Sequence, residues 1–134
     1  MADPKVVREW LAKADEDFDF ARITLEEGNT YFAQICFHFQ QAAEKYFKAF
    51  IVAYDLEFEK MHNLIQLLKI CAKKEPSLQS LMEQSELLNT AYIDTRYPVH
   101  WPIDYSKEKS VKMQEAAGKI AQTLKGILEK GGLV

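Results

Sequence analysis

Long apolar runs are missing from this chain. No stretch approaches the roughly 20 residues that cross a bilayer as a helix, and Met1-Ala2-Asp3-Pro4-Lys5 carries no apolar signal core. Both absences point to the cytoplasm and away from a membrane. Excess positive charge is missing too. The net charge is -3, so the molecule as a whole does not attract nucleic acid or anionic lipid, and any RNA or nucleotide contact must come from a local basic cluster. There are only two cysteines, Cys36 and Cys71, both set among apolar residues, which reads as two buried free thiols in a reducing compartment. No Cys/His spacing resembles a zinc site, so no metal is expected. No glycine-rich phosphate loop is present, which removes support for an ordinary ATPase or GTPase, and nothing calls for a cofactor. Strand alternation is absent as well, which leaves helix.

What is present is helical periodicity over nearly the whole length. The 134 residues, 48% hydrophobic and 28% charged, suit one domain (1–134, core about 5–128) with enough chain to bury a core. Asp3 and Pro4 open the first helix as N-cap and first helical residue, and Gly28 stops it. Val7, Trp10, Leu11, Ala14, Phe18, Ala21 and Leu25 form its apolar stripe, and Asp15-Glu16-Asp17 reads as a solvated acidic surface with Asp17 near the interface edge. A second helix, capped by Asn29 or Thr30, runs to about Tyr54 and is apolar around most of its circumference. Its polar positions Gln34, His38, Gln41, Lys45 and Lys48 recur at intervals of four and three, so they form one narrow stripe, with Gln40 and Glu44 at its edge. Such a helix belongs at the centre of a bundle or in a subunit interface.

A third helix holds Leu64, Ile65, Leu67, Leu68 and Cys71, and Pro76-Ser77 opens a fourth with Leu78, Leu81, Met82, Leu88 and Tyr92 inward. Ser106 caps the last, whose core face is Met113, Ala117, Ile120, Leu124 and Ile127; Gly131-Gly132 ends the structured chain. The expected fold is all-α: an up-and-down antiparallel four-helix bundle with an additional short helix.

One segment breaks the pattern. Thr95-Arg96-Tyr97-Pro98-Val99-His100-Trp101-Pro102 places an arginine, a histidine and two large aromatics in a turn interrupted by proline. A guanidinium can hold a phosphate and an imidazole can move a proton. Arg96 can equally pair with a carboxylate or cap the carbonyls at a helix end. Tyr97 and Trp101 can stack a base or pack across a bundle end. Lys45 and Lys48 can contact phosphate or support the helix, as Glu44 and Lys48 do at i,i+4. His62, at a helix start, can cap or join a buried hydrogen bond.

Three segments together resemble the HEPN family, named for higher-eukaryote and prokaryote nucleotide-binding domains. Phe39-Gln40-Gln41-Ala42-Ala43-Glu44-Lys45-Tyr46-Phe47-Lys48-Ala49 is similar to the family's second-helix motif. Met61-His62-Asn63-Leu64 is similar to its third-helix start, and Tyr92-Ile93-Asp94-Thr95-Arg96-Tyr97-Pro98 to its Arg-Tyr-Pro segment. The resemblance implies a five-helix bundle, often a homodimer, and a place beside a small nucleotidyltransferase in a toxin-antitoxin pair. It also implies metal-independent ribonuclease activity in a branch whose Arg and His, separated by four to six residues, converge from two protomers. Here the corresponding residues are Arg96 and His100, with three residues between them and Pro98 among those three. The expectation is therefore a partner of a nucleotidyltransferase with ribonuclease chemistry at Arg96 and His100. The alternative is a non-catalytic nucleotide- or RNA-binding or interaction module using Arg96, Tyr97, Trp101, Lys45 and Lys48.

Overall fold

The computed structural model describes residues 2–57, 60–96 and 105–134, with Tyr92 to Arg96 described by backbone alone. Five α-helices carry the fold: α1 (Pro4–Glu26), α2 (Phe32–Ala53), α3 (Leu64–Lys74), α4 (Met82–Arg96) and α5 (Lys107–Lys130). They form the expected all-α, up-and-down bundle, with no strand among the described residues. No described helix is long and apolar enough to cross a membrane.

α2 is the axle of the bundle. Thirteen of its 22 residues are buried, and it packs against every other helix. Phe39, Phe47, Phe50 and Ile51 interlock there with Leu64, Leu67, Leu68, Leu88, Ile120 and Leu124 in a single core. Burying each such side chain contributes about 1.5–3 kcal/mol. The two thiols lie in this core. Burial pushes Cys71 up to about 12 and raises Cys36, whose sulfur lies 3.4 Å from Ser110 Oγ.

The helix ends follow local chemistry. Asp3, Asn63 and Ser106 cap α1, α3 and α5 through side-chain oxygens that accept amide hydrogens of the first turn. α1 and α5 end in Schellman turns at Gly28 (φ 81°) and Gly132 (φ 67°), the left-handed conformation that glycine adopts without a Cβ penalty. α2 ends the same way at Asp55 (φ 52°), where no glycine marked the stop.

Four local expectations are revised. Asn29 accepts from the Tyr31 amide and shapes the turn, so neither it nor Thr30 is the cap of α2; Tyr31 holds that position without a side-chain bond. Pro76 opens a 3-10 turn (Pro76–Leu81) before α4 begins at Met82. Leu133 is buried beyond Gly132, because the Schellman turn folds it back onto the core. Asp15 and Asp17 are drawn into ion pairs across the bundle. Asp15 is therefore not a freely solvated group, while Asp17 stands at the interface edge as expected.

Candidate functional site

The polar stripe of α2 reaches its neighbours through buried or half-buried carboxylates. Glu44 is the deepest, with its side chain only 4% exposed. Lys48, one turn on, sits 3.2 Å from Oε2, and His62 Nδ1 lies 3.0 Å from Oε1. A carboxylate only accepts, so this contact fixes the proton on Nδ1. Burying that charge is tolerable because both oxygens are occupied.

His62 stands at the entrance to α3, which is tied down from two sides. Asn63 Oδ1 accepts from the amides of Ile65 and Gln66 at 2.9 and 3.2 Å. Asn89 of α4 accepts from the Leu64 amide at 3.0 Å. A histidine held from α2, a cap on α3 and an asparagine from α4 thus meet at one place. On the preceding turn of α2, Gln40 is fully buried. Its oxygen accepts from Gln41 at 2.7 Å, and its Nε2 has no hydrogen-bond partner.

A second carboxylate–histidine–lysine set joins α1 to α2. Asp17 Oδ1 lies 3.1 Å from His38 Nδ1, and Oδ2 accepts from Lys45. Burial alone would raise the Asp17 carboxyl, but the hydrogen bonds and charges of His38 and Lys45 outweigh it and lower the pKa. Phe20 packs edge-on against the His38 ring at 4.7 Å. Two residues before Asp17 on α1, Asp15 accepts from the buried Tyr46 hydroxyl and from Lys125 of α5 at 2.7 Å. Burial, then the Asp15 hydrogen bond and nearby carboxylate charge, push the Tyr46 phenol far up, so it stays a neutral donor.

Of the residues singled out in the sequence, Lys45 and Lys48 are both engaged by carboxylates, on different helices. Arg96 is the last residue of α4, its side chain outside the described part; Tyr97, His100 and Trp101 lie outside the described residues. His62, Glu44 and Asn89 form the better-defined cluster. Its sequence signal is an acid at the edge of the apolar face of α2 and a histidine just before a capping asparagine. Among the described residues no group of three or more His, Cys, Asp or Glu side chains could hold a metal ion. A groove of about 530 Å³ between α4 and α5 is lined by Glu83, Glu115, Lys112 and Lys119, a balanced charge set, and by none of the candidate residues.

Comparison with known proteins agrees with this architecture. Residues 7–129 match the family model described as HEPN domain. The crystal structure of TT1696 from Thermus thermophilus is similar at TM-score 0.79 and 27% identity, over 90% of this chain and 96% of that one. The crystal structure of ST0689, an archaeal HEPN homologue, shares the fold at TM-score 0.72 and 22% identity, over 91% of this chain and 97% of that one. No curated protein matches the sequence significantly.

Proposed function

The chain belongs to the HEPN domain family, and from that premise we propose that it is the cytoplasmic HEPN partner of a small nucleotidyltransferase, a homodimer that cleaves RNA without a metal. The observation that carries this reading is the position of Arg96. It is the last residue of α4, immediately before the Tyr97-Pro98 step and His100, within a chain matched to the family over nearly its full length.

The chemistry suits these residue types. The guanidinium of Arg96 neutralises charge growing on a scissile phosphate, and the neutral imidazole of His100 accepts the ribose 2′-hydroxyl proton. Tyr97 and Trp101 supply ring faces for flanking bases. Lys45 and Lys48, each already held by a carboxylate, add local positive charge and little freedom to follow a ligand. The two pairs hold the polar stripe of α2 steady.

The test is cleavage of a mixed RNA pool in EDTA by purified protein, with Arg96→Ala and His100→Ala beside it. Products ending in 2′,3′-cyclic phosphate, lost in both folded variants, support the reading. A folded dimer that binds RNA without cutting it moves the function to non-catalytic binding. Co-purification with a nucleotidyltransferase encoded beside it tests the partner separately.

A further inference from the structure

Large apolar side chains that stay exposed are few. Among the described residues they are Val6, Phe20, Ile23, Tyr31 and Val111, and three of the five belong to α1. Those three share one line. Val6, Glu9, Lys13, Glu16, Phe20 and Ile23 follow one another at intervals of three, four, three, four and three, and all six are exposed. That repeat averages about 3.5 residues, the spacing that keeps a seam facing a second helix. It lies on the opposite side of α1 from Val7, Leu11, Ala14, Ala21 and Leu25, which are buried in the bundle's own core. Among the described helices α1 packs only on α2 and α5, and its outer side stays uncovered. α1 thus carries two seams, and only the inner one is used within the chain.

The side chains of the outer seam decide what fits it. A parallel copy in register would set Glu9 on Glu9, Lys13 on Lys13 and Glu16 on Glu16, like charge on like at each. An antiparallel copy, turned about a two-fold axis midway between Lys13 and Glu16, does the reverse. Lys13 then faces Glu16 of the second copy, and Glu16 faces its Lys13. In the same register Val6 meets Ile23 of the second copy at both ends, and Phe20 meets the methylenes of Glu9. Sliding by one heptad sets Ile23 against Lys13 in one direction and past the end of the second copy in the other. Sliding by two joins Phe20 to Ile23, but it sets Glu16 on Glu27 and leaves Val6 unmatched. The antiparallel course also lays each helix N-terminus beside the other's C-terminus, which suits the dipoles. From Val6 to Ile23 the seam runs about 26 Å. Its parts are free to engage. Within the chain Lys13 and Glu16 form only a loose pair at 3.6 Å, each side chain 69% exposed. The Phe20 ring is steadied edge-on by His38 at 4.7 Å while 54% of the residue stays exposed.

We propose that two copies of this chain pair antiparallel through the outer seam of α1, across a two-fold axis between Lys13 and Glu16. The proposal names the surface of the homodimer in the reading above, and it rests on that reading for the dimer alone, not for the ribonuclease chemistry. The interface is isologous: one patch meets its own copy, so every contact occurs twice. Val6, Phe20 and Ile23 supply the apolar area, and the two Lys13–Glu16 layers fix direction and register.

The test is a charge exchange, read by sedimentation velocity of the purified protein across a concentration series. Lys13→Glu sets acid against acid in both central layers and weakens the dimer about tenfold or more. Glu16→Lys sets lysine against lysine and does the same. Mixed in equal amounts, the two variants oppose glutamate to lysine in both layers, and dimerisation returns to within about threefold of wild type. Ile23→Glu, which meets Val6 with a carboxylate at both ends, weakens the dimer about 100-fold. Lys112→Glu, in the groove between α4 and α5, leaves it unchanged. Circular dichroism verifies the fold of each variant. A wild-type dimer that tolerates both charge variants overturns the α1 seam and leaves the homodimer to another face. So do two variants that each weaken the dimer and fail to restore it on mixing. A wild type that stays monomeric at every concentration overturns the homodimer and the seam together, while RNA cleavage, measured separately, decides the ribonuclease reading by itself.

Discussion

α2 carries two polar clusters of the same composition in different surroundings. At one, Glu44 takes His62 on one oxygen and Lys48 on the other; at the other, Asp17 takes His38 and Lys45 in the same way. The chemistry is nearly a duplicate. The settings are not, since the Glu44 side chain is 4% exposed and the Asp17 side chain 17%. The Glu44 cluster also joins three helices, α2 and α3 directly and α4 through Asn89, whereas the Asp17 cluster bridges α1 and α2. Ion pairs of one chemical type differ in worth because water competes for one and not for the other.

That contrast can be broken by substitution. The largest effect belongs to Glu44→Ala, which leaves Lys48 charged, mostly buried and without its carboxylate; it should destabilise the fold by about 3 kcal/mol or more in urea unfolding. Next comes Asn89→Ala, which strands the Leu64 amide at the start of α3. A loss of about 1–2 kcal/mol is expected, with faster amide exchange at Leu64 as a local signature. Asp17→Asn should lose only about 1 kcal/mol at pH 7.

Its pH dependence sharpens the comparison. The Asp17 carboxyl is held below its usual value by His38 and Lys45, so its contribution is complete above the unfolded value of about 3.9 and is lost as pH falls through the lowered one. The stability gap between wild type and Asp17→Asn therefore closes below about pH 4, which acid unfolding curves would reveal. The smallest effect is that of salt. Raising ionic strength from about 0.1 to 1 M shortens the screening length from roughly 10 to 3 Å. Double-mutant cycles should show the Asp17–Lys45 coupling fall by a few tenths of a kcal/mol while the Glu44–Lys48 coupling holds. Equal salt sensitivity would refute the difference in burial.

The scaffold was largely legible in the chain. The four-three spacing of Met113, Ala117, Ile120, Leu124 and Ile127 predicts a core face; the first four are fully buried, and Ile127 is partly buried beside the fully buried Leu128. Asp3, Ser106, Gly28 and Gly132 act at helix ends as their residue types require. The end of α2 near Tyr54 was legible too, but the left-handed turn at Asp55 that makes it was not, because an aspartate in that conformation has no distinctive neighbour pattern. The Arg96 segment could be recognised by its residues alone. For His62 the sequence offered a cap or a buried hydrogen bond, and it could not name Glu44 as the partner, because a histidine before a helix looks the same in either role.

The sequence by itself determined that this protein is helical, where most helices begin and end, and which faces are apolar. Those properties arise from interactions within about one turn of chain, which local spacing encodes. Tertiary structure decided the polar partnerships: Glu44 with His62, Lys45 with Asp17, and Lys125 with Asp15, across 18, 28 and 110 residues of chain. Such a choice depends on which helix faces meet and how deeply. The same acid can be solvated or buried until the bundle closes around it.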